Sequence, residues 1–143
     1  MEELNFQFVP GKNCTRWAFV GSRVTCNPAP TDTDRDVLVL CLVGEAQEVV
    51  EAICDAGGEC CSLVDYGDSM TAVRLGDDNY IITDEADYFD RFIVMTQLAK
   101  QWNILDKGKR HELFQAAIDK REPWCLPEER IAVNHPPSPG SPF

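Results

Sequence analysis

Two kinds of hydrophobic pattern alternate along this chain. "RWAFV" (16–20) reads as a short strand, and "DVLVLCLV" (36–43) is a run of strand length that is apolar at nearly every position, as expected of a strand buried on both faces. Across "GEAQEVVEAICDAGG" (44–58) the period changes. Val49, Val50, Ile53 and the alanines recur at helical spacing, and Gly57 stands where the helix should end. "SMTAVRLGDDNYIIT" (69–83) predicts two strands joined at Gly76-Asp77-Asp78, a turn-forming composition. Thr83 is the predicted N-cap of the next helix, with Asp84 and Glu85 in its first turn, where the helix dipole favours anions. That helix continues through Phe89, Phe92, Ile93, Leu98 and Trp102, and a shorter one over 107–120 aligns Leu113, Phe114, Ala117 and Ile118.

This order predicts one α+β domain over residues 1–120, a mixed sheet with helices packed against it and a C-terminal helical pair. Residues 121–143 read as a Pro-rich tail. Its last ten, "NHPPSPGSPF", hold four of the nine prolines, so the tail is expected to be extended or mobile.

Composition narrows the setting. The 143 residues suit one ordinary domain with its own core. No apolar run is long enough to span a bilayer, and the N-terminal "MEELNFQFVPGK" has no secretory apolar region, so a soluble protein without a membrane partner is expected. Seven cysteines, an odd number without zinc-type spacing, read mostly as small core residues of a reducing, cytoplasmic compartment. The net charge of −11 is uneven: residues 31–90 carry sixteen acids against Arg35 and Arg74 alone. Such a surface repels nucleic-acid phosphate and argues against tight sequence-specific DNA binding, but it suits a divalent cation.

The chemistry concentrates in "FVGSRVTCNPAPTDTDRDVLVL" (19–40). A strand alternates faces with period two, so Asp34 and Asp36 project to one side, and Asp32 joins them if the strand begins early enough. Paired carboxylates are costly unless a cation neutralises them, and Mg²⁺ takes one or two such ligands and completes its shell with substrate phosphates. Upstream, Gly21 permits a turn to approach a phosphate closely, and the Ser22 hydroxyl with the N–H groups of a following helical turn makes an anion cradle. Arg23 stands beside it, and Arg74, on a predicted strand, is either a phosphate ligand or a surface ion-pair partner. Lys107, Lys109 and Arg110 open a helix where the dipole prefers acids, which reads either as a solvated face or as a phosphate contact. His111 reads as a surface residue. Trp17, Trp102 and Trp124 read as core or subunit contacts, which leaves a homo-oligomer open.

Val20-Gly21-Ser22, an 11-residue gap, then Asp34-Arg35-Asp36-Val37 resembles the DNA polymerase β-like nucleotidyltransferase superfamily. "GSRVTCNPAPTDTDRDVLVL", with "RLGDDNYIITDEADYFDRF" and "KGKRHELFQAAI" further on, is most similar to the small nucleotidyltransferase-like proteins encoded by tailed phages, which would place this chain in a host cytoplasm. The resemblance spans roughly residues 16–119. It implies a minimal nucleotidyltransferase fold, with Gly21 and Ser22 holding the terminal phosphates of a nucleoside triphosphate. Asp34 and Asp36 would bind Mg²⁺ or Mn²⁺. One ion would bridge the triphosphate and the other activate an acceptor hydroxyl, with pyrophosphate leaving. The acceptor is left open among an RNA end, a protein and a small molecule. The superfamily usually adds a third carboxylate on a later neighbouring strand. "SMTAVRL", taken as that strand, has no acid within it; Asp68, Asp77 and Asp78 flank it, the last two in a good turn, and Asp32 is the local substitute. Two rival readings are therefore kept, a catalytically silent nucleotide-binding module and an acidic interaction protein that occupies a basic partner.

Overall fold

The computed structural model describes residues 4–6, 8, 14–27, 35–61, 70–118 and 132–134. Its elements run β1 (Arg16–Val20), α1 (Ser22–Thr25), β2 (Arg35–Leu40), α2 (Ala46–Asp55), β3 (Glu59–Cys61), β4 (Thr71–Leu75), β5 (Asp78–Thr83), α3 (Ala86–Gln101) and α4 (Lys107–Ile118). The five strands form one mixed sheet in the order β1-β2-β5-β4-β3. β2 lies between an antiparallel β1 and a parallel β5, which accounts for its continuous apolar run: Val37, Leu38 and Val39 are fully buried.

Each face of the sheet has its own core. On one, Val37, Val39, Val73, Tyr80 and Ile82 meet Val49, Val50 and Ile53 of α2, joined by Leu4, Phe6 and Phe8 from the N-terminal segment. On the other, Ala18, Val20, Leu38, Leu40 and Ile81 meet Phe89, Phe92, Met95 and Leu98 of α3 and Phe114 of α4. The result is a mixed α+β arrangement of three layers, α2 against the sheet and the sheet against α3 and α4.

The helix ends follow local chemistry. α2 stops at Gly57 as expected, with φ at 108° and the N–H groups of Gly57 and Gly58 donating to the carbonyls of Cys54 and Ile53. α3 stops in the same way on Asn103, at φ 46°, whose N–H donates to Lys100 while that of Ile104 donates to Ala99. Its start differs from expectation. Thr83 is the buried last residue of β5, its hydroxyl accepts the Glu85 N–H, and the helix begins two residues later than expected, at Ala86 with Glu85 at the cap. Asp84 instead accepts the Gly44 N–H, and Asp87 is the acid in the first turn.

β3 and the single turn α1 have too few residues to show a period. The β4–β5 hairpin closes with two residues, Gly76 at φ 62° and Asp77, so Asp78 is a strand residue and not part of the turn. Of the tail, residues 132–134 are described: Asn134 pairs with Trp17 on β1, each N–H donating to the other's carbonyl. The remainder of 121–143 lies outside the described residues.

Candidate functional site

Gly21 follows β1 directly and caps α1 at φ 79° and ψ −171°, a region that essentially only glycine occupies. Its carbonyl accepts the N–H groups of Val24 and Thr25, which fixes the turn. The register of the sheet decides what faces it. Val20 pairs with Asp36, and the Asp36 carboxylate packs so closely on Gly21 that a Cβ there would fall on its oxygen. The Gly-Ser turn and the second acid of Asp-x-Asp therefore meet in space. Spacing along the chain did not require this.

Asp36 pairs on its other side with Asn79 of β5, whose amide nitrogen donates to Asp36 Oδ1 at 3.1 Å. Asn79 is buried, and its own carbonyl oxygen has no hydrogen-bond partner. Arg74 continues the row, opposite Asn79 on β4, exposed and facing Glu59 of β3 in register. Ser22 is the first residue of α1, half-buried, and Arg23 follows it with its Nε buried and without an acceptor. An orphaned donor beside the Gly-Ser turn and an orphaned acceptor beside Asp36 are what an anion and a cation, respectively, would satisfy.

The strand beside β2 is β5, which corrects the expectation that "SMTAVRL" holds that place. β5 does begin with an acid, but Asp78 faces the opposite side of the sheet from Asp36. Fully buried, it accepts Arg35 Nε at 2.6 Å, the Tyr80 hydroxyl at 2.9 Å and the Asn5 N–H at 2.8 Å. Burial alone would raise its pKa, yet the hydrogen bonds from Arg35, Asn5 and Tyr80 outweigh that and hold the carboxyl below its ordinary value. The Arg35 guanidinium also lies over the Phe19 ring, 5.1 Å from its centroid. Turn composition hid this ion pair, although an acid opening a strand beside an arginine-led one was the available signal.

The basic cluster divides. Arg110 donates to the carbonyls of Ile104 and Leu105 and to the Cys26 sulfur, so its guanidinium ties the α3–α4 connection to the segment after α1. Lys107 and Lys109 are exposed, and Asp106 caps α4 by accepting the Lys109 N–H. The Asn103 amide adds a two-way bond to the backbone of Asn27. Asp32, Asp34 and Asp68 lie outside the described residues, among which no three His, Cys, Asp or Glu side chains converge on a metal-sized site. No helix among those residues is long and apolar enough to cross a membrane.

The class these observations define is a mixed α+β protein with a Gly-Ser turn seated on a strand carboxylate. Comparison with protein families, with curated proteins and with solved structures returned no match.

Proposed function

We propose that this chain is a metal-dependent nucleotidyltransferase with a minimal nucleotidyltransferase fold, moving a nucleoside monophosphate from a nucleoside triphosphate to an acceptor hydroxyl. The observation that carries the reading is the seating of the Asp36 carboxylate against Gly21. In it, Gly21 lets the backbone approach the terminal phosphates, and Ser22 with the first N–H groups of the turn binds them. Arg23 supplies the unsatisfied donor to the same anion. Asp34 and Asp36 would hold Mg²⁺ or Mn²⁺, which when bound neutralises the triphosphate and lowers the barrier to loss of pyrophosphate. Arg74, in line with Asp36 across the sheet, and Lys107, three residues before Arg110, are further candidates for phosphate contacts.

One observation favours a second reading, a nucleotide-binding module without catalysis. The residue beside Asp36 on the neighbouring strand is the amide Asn79, where the family resemblance calls for a third acid. Calorimetry with ATP and Mg²⁺ tests the shared part: the Asp34→Ala, Asp36→Ala double variant should bind at least about tenfold more weakly than the parent. Equal affinity overturns both readings. Pyrophosphate release from labelled nucleoside triphosphates in host lysate then separates them. Label carried to an acceptor supports transfer; tight binding with no release leaves the silent module.

A further inference from the structure

We propose that the carbonyl oxygen of Asn79 is itself a ligand of the divalent cation, shared with Asp36, so that a neutral amide takes a place in the site that a carboxylate could fill. The inference rests on the metal–nucleotide reading above and adds a residue to it. Asn79 has only 5% of its surface exposed, and its side chain is fixed from one end by the bond from its nitrogen to Asp36 Oδ1. That bond assigns the nitrogen to the Asp36 side and leaves the oxygen as an acceptor. No donor reaches this oxygen: Arg74, opposite in register, makes no bond to it, nor does any other described residue. A buried carbonyl oxygen without a donor, on an amide whose nitrogen is bonded to a carboxylate, is an unsatisfied arrangement for the protein alone. A cation that takes oxygen ligands removes the deficit, and amide carbonyls are ordinary ligands for Mg²⁺ and Mn²⁺.

The amide also sets the character of the site. With Asn79 neutral, the carboxylates carry one negative charge fewer than a three-acid site, so the metal should bind weakly alone and more tightly once a triphosphate adds its own charge. Asn79→Asp would set two carboxylates side by side, costly without metal and favourable with it.

The test is a Mn²⁺ titration run without nucleotide and again with ATP, following the free-ion paramagnetic resonance signal, together with melting temperatures in chelator and in saturating Mg²⁺. The parent, Asp36→Ala, Asn79→Ala and Asn79→Asp are compared. The inference expects Mn²⁺ affinity to fall in Asn79→Ala and to rise roughly tenfold in Asn79→Asp. It also expects the melting temperature of Asn79→Asp to be depressed in chelator and restored by Mg²⁺. Should Asn79→Asp not fold without metal, the loss in Asn79→Ala decides. If Asp36→Ala abolishes Mn²⁺ binding while both Asn79 variants bind as the parent does, the role of Asn79 is overturned and the metal site stands. If the parent binds no Mn²⁺ either alone or with nucleotide, both fall.

Discussion

A methyl group added at Gly21 would meet two obstacles, a backbone conformation closed to other residues and the carboxylate of Asp36. Gly21→Ala should therefore cost about 1–3 kcal/mol in denaturant unfolding from the strained backbone alone, and on the proposed nucleotide-binding reading it should abolish that binding by calorimetry. Asp78 makes the opposite case, a side chain whose value is structural. Removing one partner of a buried pair leaves the other uncompensated, so Asp78→Ala should destabilise by about 3–5 kcal/mol, read as a lower urea midpoint. The pH dependence follows from the lowered pKa. The contribution of Asp78 is fully present above the ordinary carboxylate range and is lost as pH falls through its depressed value. The stability gap between the parent and Asp78→Asn should thus narrow below about pH 4; a gap unchanged down to pH 2.5 or so would show that Asp78 does not titrate as described. In the sequence this residue was indistinguishable from its neighbour Asp77. Both sit in "GDDN", and only the pairing of β5 with β2 separates a turn acid from a buried ion pair.

At the scale of elements, hydrophobic period carried most of the information. "RWAFV" is β1 to the residue, and α2 and α3 fall within a few positions of their expected spans because each buries one long apolar face, while α4 matches its expected start with Phe114 as its buried residue among those described. What periodicity does not contain is strand order. The hairpin of β4 and β5 was legible, but which of its strands lies beside β2 depends on contacts between distant segments, and β5 stands where "SMTAVRL" was expected. Periodicity alone does not bring Gly21 to Asp36 either; the family resemblance implied one site for the two, and the β1–β2 register sets their contact. Where α3 ends, Asn103 combines a left-handed backbone with its two bonds to Asn27. Asn103→Gly keeps the backbone and loses the bonds, whereas Asn103→Ala loses both. The alanine variant should be the less stable by about 1 kcal/mol, and both should speed amide exchange at Asn27. Equal stability of the two would mean that the conformation is not what Asn103 supplies.

Across the whole molecule, the two cores differ in their chemistry as well as their place. The core under α2 contains Cys14 and Cys41 with free thiols. Burial pushes them up to about 12 and about 11, with smaller contributions from Cys41 and from Asp84 respectively. A raised thiol pKa means stability that is fully present below the ordinary thiol value and is lost as pH rises toward the shifted one. At pH 8 or so, Cys14 and Cys41 should resist iodoacetamide in the native protein and react on unfolding, while the half-buried Cys26 and Cys54 label first. Peptide mass spectrometry reads the order, and early labelling of Cys14 would contradict its burial.

The pairing of Asn134 with Trp17 bears on how copies of this chain can assemble. A sheet grows most readily at an open border strand, whose unpaired backbone groups are a template for a second molecule. β1 is such a border, and at its second residue both outward backbone groups are already bonded to the chain's own C-terminal region. A partner that extended the sheet through β1 would first have to displace residues 132–134. The segment that reads as a loose tail thus acts, at this one point, as a guard against edge-to-edge association.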